Sequence, residues 1–506
     1  MDASVIWNFL LGKPVGLLLG IASVFLYVYM TRKPSGIPPG PAGWPVFGNL
    51  LRLGRNPHLT LTSMSQQYGN IFSVYMGNML TVVLNDYDTV KEAFLKMGDV
   101  FSGRPDLYVI KTSSSDHNGV HGLILTEGAH WREQRKFALE ALREFGMGKI
   151  SLEGKIQEEV QALLHEIGEK SDQAFDSKLL MGNAVSNVIC NIVFGNRFDY
   201  DDAEFREMLE RLNISVRNSS VSGLINFMPF LRFVPGLGRE LMQGFAARRV
   251  KSFAYFQRRI DEHKATLDRE HVRDFIDAYL KHIEDVKTAK RGGETFTETE
   301  LIFAIGSLFG AGTETTATTL RWGFVYMINY PDVQRKVQAE IDAVIGDARL
   351  PSMKDRPLLP YTEATIMEIQ RLGQLVPLGV PHATTRDVSL RGYTIPARTM
   401  ILPNLWAIHR DAKNFPDPTA FKPERYLDAD GSLSSKLCER LMPFSIGWRV
   451  CLGEMLARME LLLFFTAILQ QFHIQTPEGE SPPPLTGEMG IVHQPTAYRQ
   501  RFIPRK

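Results

Sequence analysis

Phe444-Ser445-Ile446-Gly447-Trp448-Arg449-Val450-Cys451-Leu452-Gly453 decides the reading of this chain, and a long apolar helical run to about Gln471 follows it. Cys451 falls at the N-terminus of that helix, where the macrodipole and the free N–H groups favour a thiolate. Gly447 and Gly453 would let backbone approach a flat ligand closely. Arg449 supplies charge for an anionic group. A lone cysteine is by default an inert buried hydrophobe, and Cys190 and Cys438 are read that way. Around Cys451 the spacing F-x-x-G-x-R-x-C-x-G is too long and too specific for that default.

The rest of the composition sets the frame. The chain has 506 residues, 44% of them hydrophobic and 22% charged, which is globular and large enough to enclose a cofactor. Lys plus Arg total 57 against 56 Asp plus Glu, a net charge of +1. That balance lacks the basic excess of a nucleic-acid binder. The three cysteines are scattered and odd in number, which argues against a disulfide framework and for a reducing compartment. Neither C-x-x-C nor H-E-x-x-H occurs, which argues against the common zinc sites.

The N-terminus reads differently from the body. Val15–Met30 is uncharged, and a second apolar piece, Val5–Leu11, precedes it with Lys13 and Pro14 between. Together they are long enough to span a bilayer as a helix. The paired positive charges, Arg32 and Lys33, follow the run, whereas a cleaved signal would carry charge before it. An uncleaved transmembrane anchor over residues 1–33 is expected, with the remainder in the cytosol. A stiff proline-rich connector, 34–45, begins Pro34-Ser35-Gly36-Ile37-Pro38-Pro39-Gly40-Pro41. Residues 46–506 then read as one domain, mainly α with small β-sheets. Short β-like runs fall at Ile71–Tyr75, Leu80–Leu84 and Val388–Ile395, a loop at Glu284–Gly293, and a coil at Asp411–Glu424.

A proline-free helix is predicted from about Glu300 to Asn329. Its middle, Ala311-Gly312-Thr313-Glu314-Thr315-Thr316, is ill suited to a buried helix, because Gly costs about 1 kcal/mol relative to Ala and buried polar groups need partners. Hydroxyls bonding back to their own helix, with Glu314 reaching solvent, would account for it without function.

With these residues in view, the chain is identified as resembling the cytochrome P-450 superfamily. The Cys451 segment resembles the haem-binding loop of that superfamily, whose iron is held by a cysteine thiolate. The resemblance implies a cytochrome P-450 fold and haem b with Cys451 as axial ligand. Arg449 would then pair with a haem propionate. Ala311–Thr315 resembles the oxygen-activation motif, with Glu314 and Thr315 as its acid–alcohol pair. Glu368-Ile369-Gln370-Arg371 and Phe421-Lys422-Pro423-Glu424-Arg425 resemble the two motifs that imply a structural Glu368–Arg371–Arg425 ion cluster. By the same matching, Trp131, Arg135, Arg104 and His382 contact propionates. The connector, Phe145–Gly148 and Pro377–His382 resemble the microsomal family-2 branch. Ser307, Trp448 and Tyr426 depart from that branch's usual residues.

The resemblance implies a haem-thiolate monooxygenase. It would insert one oxygen atom of O2 into a lipophilic substrate of the fatty-acid, steroid or xenobiotic class. Ala311 continues a helix stripe with Ala304, Ser307 and Leu308, while Val376, Leu378, Val380, Ile491 and Val492 would add apolar walls. Arg104–His121 would form the variable lid. No G-x-G-x-x-G or flavin segment is present, so electrons must come from outside; the resemblance implies NADPH through cytochrome P-450 reductase, with cytochrome b5 as a further partner. Arg132, Lys136 and Arg143 resemble the docking surface for such a partner. The endoplasmic reticulum membrane is the expected location. A haem-thiolate isomerase would have less use for Glu314 and Thr315, and a non-enzymatic haem carrier would need no organised pocket.

Overall fold

The computed structural model describes residues 34–505 apart from 148–149, 172, 218, 290–294 and 491, with a few further positions between 16 and 22. The expected anchor thus falls largely outside the described residues, among which no helix is long and apolar enough to cross a membrane.

Two β-rich runs, β1 (Ile71–Met76) and β2 (Met79–Leu84), form a hairpin across the two-residue turn Gly77-Asn78. Both are rich in β-branched and aromatic residues, which suit a pleated buried surface. The sheet grows from segments far along the chain: β3 (His382–Ala383) and β4 (Met400–Pro403) complete the order β1-β2-β4-β3. β4 lies parallel to β2 with Thr81 opposite Met400, and β3 returns antiparallel with His382 opposite Ile401. Ala383 also bridges to Gly103, so the edge strand carries His382 and the segment leading into Arg104 side by side. The Val388–Ile395 run is a small hairpin of its own.

Helices build the rest of the core: α1 (Gly128–Glu144), α2 (Ile150–Gly168), α3 (Lys178–Val193), α4 (Arg239–Ala265), α5 (Phe275–Thr288), α6 (Glu298–Asn329), α7 (Pro331–Val344), α8 (Pro360–Gly373) and α9 (Glu454–Gln471). The polar run expected as a loop from Glu284 is helical to Thr288, because Tyr279, Leu280 and Ile283 give α5 a buried face that carries it on. α6 starts where the Thr297 hydroxyl accepts the Glu300 N–H at 3.1 Å. It stops before Pro331, which opens α7 at the one turn where a missing N–H is harmless.

α6 is the spine. It packs most extensively on α3 and also on α8 and α9. Gly312 permits the closest approach: a Cβ there would lie 2.6 Å from Ile189 Cδ1 of α3. Crossing on the α9 side, Thr316 donates to Glu460 Oε2 at 3.1 Å. Glu460 is 1% exposed, and its other oxygen has no partner among the described residues. Burial pushes this carboxyl up to about 8.

That shift has a sign. Between its ordinary value and about 8, native Glu460 holds a proton that the unfolded chain has released. Stability therefore falls with rising pH across this interval, by up to roughly 1.4 kcal/mol per pH unit. Glu460→Gln keeps an acceptor for Thr316 and cannot ionise. The thermal midpoint of the variant should gain on the wild type between about pH 5 and pH 8; parallel curves would show that the carboxyl is not held neutral.

Candidate functional site: a thiol loop, a cationic cradle and an opened helix

Gly447–Arg449 forms a single 3₁₀ turn ahead of α9. Gly447 has φ +83°, and a Cβ on it would sit 2.0 Å from the Phe94 carbonyl oxygen. Its close approach is thus to neighbouring backbone, which corrects the expectation that it clears space for a ligand. Gly453, by contrast, faces open space. The Cys451 N–H donates to Phe444 O at 3.0 Å and closes the loop. Cys451 itself is exposed although protein surrounds it on most sides. Burial pushes its thiol up, against the pull of the Gly453 N–H and Arg135. A cation at sulfur would favour the thiolate. Cys190 is wholly buried, and Cys438 packs against the Met367 sulfur at 3.7 Å.

Beside the loop, chain segments distant in sequence deliver cations to one place. Arg449 donates to Ser102 O at 2.9 Å and Thr126 O at 2.7 Å. Arg104 donates to Ile124 O at 2.9 Å and Pro381 O at 2.7 Å. Arg135, on α1, donates to Val450 O at 2.6 Å. The Arg449 guanidinium lies 3.7 Å from the ring centre of Trp131. His382 donates from Nδ1 to Phe101 O at 2.7 Å and stacks on Phe94 at 4.0 Å, which leaves Nε2 as its second polar atom.

The charges do not balance. Burial, then repulsion from Arg104, holds Arg449 down to about 8, and burial with Arg135 nearby holds Arg104 down to about 10. His382 is held well below the imidazole range by burial and by Arg104. Glu127 is the carboxylate that offsets them among the described residues, and it is shared with the Arg104 N–H and with Arg398. Trp131 adds a buried indole N–H with no partner among the described residues. Guanidiniums are not deprotonated in proteins, so the cluster needs anionic charge from elsewhere. Two carboxylates on a flat apolar body, the constitution of haem b, fit this donor set.

Another opening lies on α6. Its ends are buried, whereas Gly310 and Ala311 are exposed in mid-helix. Thr315 donates back to Ala311 O at 2.8 Å. Glu314 does not meet it. The carboxylate instead accepts from Gln494 at 2.7 Å, on the strand His493–Pro495. Adjacent helix positions differ by about 100°, so acid and alcohol point to different neighbours. Among the expected walls, Leu308, Val376 and Leu378 are half-buried and Val380 is exposed. Ala304 has no exposed area and packs in the main core. Val492, 4% exposed, is likewise packed, and Ile491 lies outside the described residues.

On α8, Arg371 grips Glu368 with two bonds, Nε to Oε2 at 2.7 Å and Nη2 to Oε1 at 2.8 Å. Arg425 adds a third bond to Oε1 at 3.0 Å. Arg371 also ties down the coil by donating to His409 O and Pro418 O. All three side chains are at most 6% exposed. Sequence reading missed Glu127 and Gln494. Each acts through a partner far along the chain, and neither stands in a local pattern that announces it.

The unpartnered indole gives a test. Trp131→Phe keeps a ring under Arg449 and removes one N–H that no group among the described residues uses. Stability of the haem-free protein should change little. Haem loss, followed as transfer to excess apomyoglobin, should quicken by roughly 10- to 100-fold, the value of one hydrogen bond to a charged group. Unchanged loss would place the indole away from the cofactor.

A family model described as "Cytochrome P450" matches residues 38–502. The chain is 41% identical to Cytochrome P450 2U1 of Homo sapiens, over 95% of this chain and 92% of that protein. It is 41% identical to Cytochrome P450 2B4 of Oryctolagus cuniculus, over 97% and 99%. It is 40% identical to Cytochrome P450 2J2 of Homo sapiens, over 99% and 98%. A thiol loop, an anion-seeking arginine cradle and a helix opened in its middle thus occur in a chain that matches one family along nearly its whole length: the protein belongs to the cytochrome P450 family.

Proposed function

We propose that this haem-thiolate monooxygenase holds haem b through Cys451 and the Arg104–Arg135–Arg449 cradle, and oxidises lipophilic substrates against the open middle of α6. The cationic cluster, short of counter-charge beside an accessible thiol, is the observation that carries this reading. Bound haem supplies the redox chemistry, and a thiolate ligand favours O–O cleavage.

The chain's own residues do the rest. Arg449, Arg104, Arg135, Trp131 and the His382 Nε2 bind and orient the propionates. The Thr315 hydroxyl, bonded to Ala311 O, is a two-way group: it can accept a proton from water and pass on its own. Glu314, held by Gln494, is the acid behind it, and water must bridge the two because they do not touch. Leu308, Val376, Leu378 and Val380 are apolar walls that select lipophilic ligands and exclude water. Glu368, Arg371 and Arg425 hold the coil before the thiol loop in place.

Electrons reach the site from NADPH through cytochrome P-450 reductase, with cytochrome b5 as a further donor. Arg132, Lys136 and Arg143 are exposed on α1, and Arg132 lies 5.1 Å from the ring centre of exposed Trp448 in the thiol loop. That places basic charge beside the loop, where an acidic donor protein would be steered. The same reading puts the chain on the endoplasmic reticulum membrane through residues 1–33, with 46–506 in the cytosol.

Thr315→Ala separates chemistry from fold. It removes a hydroxyl that bonds only its own helix and leaves a strong helix former. Haem content and ligand binding should persist. General acid steps contribute about 10²–10⁴-fold, so product per NADPH consumed should fall while hydrogen peroxide rises, in assays with added reductase and a panel of lipids, steroids and drugs. An unchanged ratio would remove Thr315 from the proton path.

A further inference from the structure

One stripe of α6 is committed to a loop. Glu300, Phe303 and Ser307 share a helix face, and each meets the segment 114–124. Glu300 accepts from the Gly122 N–H at 3.0 Å and contacts His121 Nδ1 at 2.6 Å. Phe303 stacks on the His121 ring at 4.9 Å. The Ser307 hydroxyl accepts from the Leu123 N–H at 3.4 Å. The other ring nitrogen, His121 Nε2, lies 2.7 Å from Asp116 Oδ1 on the same loop. Asp116 in turn accepts from the Asn118 and Gly119 N–H groups and shapes the loop tip. Just beyond, Ile124 O accepts from both Arg104 and Arg449. The segment is therefore a strap from the cationic cradle to the turns of α6 that precede exposed Gly310 and Ala311.

The chemistry of the ring is decisive. A neutral imidazole has one N–H and one lone pair. Here both nitrogens face carboxylate oxygens at hydrogen-bond distance. Only the imidazolium satisfies both, and the neutral form must turn a lone pair toward one carboxylate.

We propose that His121 is a positioning residue: as an imidazolium held between Asp116 and Glu300 it pins the strap onto α6, and its deprotonation frees the strap and admits ligands to the open middle of α6. The surrounding groups agree. Burial pulls His121 down, but Asp116 and Glu300 outweigh it and the imidazole is held above its ordinary value. Glu300 is pushed up by burial and pulled lower overall by His130, the Gly122 N–H and His121. From α1, His130 Nε2 lies 2.9 Å from the same Glu300 oxygen without hydrogen-bond alignment. From α4, Arg249 donates to Thr112 O and to Ser115 O at 3.0 Å. From α5, Tyr279 feels the Glu300 charge through space and bonds to Gln134. A group whose folded value is raised contributes its stability at low pH and loses it as pH climbs through that raised value. The strap is therefore held while His121 is protonated and loosened as pH climbs through its raised value.

The test uses the full haem-loaded protein. Stopped-flow association of a neutral phenyltriazole, which does not titrate near neutrality, reads access. Amide exchange of residues 112–124, corrected for intrinsic rates, reads the strap without relying on haem, so failure of the clamp and failure of the haem reading are distinguishable. From about pH 6 to pH 9 the wild-type association rate should rise by about tenfold, with a matching loss of protection. His121→Gln should be fast and unprotected at every pH. Asp116→Asn can accept from the imidazolium or donate to the neutral ring, so it should stay slow and protected throughout. If His121→Gln retains the wild-type pH profile, or Asp116→Asn does, the proposal is overturned; a flat wild-type profile in both measurements also overturns it. Should His121→Gln lose its haem, its exchange profile and the two Asp116→Asn profiles decide the matter by the same criteria.

Discussion

A guanidinium removed from water needs a counter-charge, and this fold gathers Arg104, Arg135 and Arg449 beside His382 with Glu127 shared among several partners. Other features follow from that shortage. The 3₁₀ turn and α9 present Arg449 and Cys451 together, α1 presents Trp131 and Arg135 on one face, and the sheet edge presents His382 beside the segment of Arg104. Backbone carbonyls fix the direction of each guanidinium, but carbonyls carry no net charge and cannot neutralise it. A flat ligand with two carboxylates completes what the protein leaves incomplete.

Away from the cradle the same economy of contacts shapes α6. It is buried at both ends and opened where Gly310 and Ala311 stand, and its polar residues are spoken for in different directions. Thr315 turns back on its own helix, Thr316 reaches Glu460 on α9, and Glu314 reaches Gln494. The stripe of Glu300, Phe303 and Ser307 is given over to the strap. One helix thereby ties together the core, the exposed Gly310–Ala311 stretch and the strap.

How much of this was legible before folding depends on the range of the interaction. The helix of α6 and the two strands β1 and β2 are encoded by local residue pattern, and they lie within a few residues of their expected bounds. Pairings between distant segments were legible only where a motif flagged both partners, as in Glu368 with Arg425. His121 and Glu300 are 179 positions apart, and Arg449 and Ser102 are 347 apart, with nothing local to connect either pair. Gly447 shows the opposite hazard: its residue type was informative but its neighbour was not, since Phe94 fills the space assigned to a ligand. Ala304 fell on the expected stripe by periodicity, yet its small side chain is sealed by the core, which periodicity cannot register.

The central claim is that Cys451 is the sulfur on iron, and the most direct measurement is the absorption spectrum of the reduced, carbon-monoxide-bound protein. Wild type should show the strongly red-shifted Soret band that a thiolate ligand produces. Cys451→Ser, which hardly changes side-chain volume at an already accessible position, should bind haem through the intact cradle and lose that band. A variant that keeps both its haem and the red-shifted band would contradict the account, because another residue would then have to supply the thiolate.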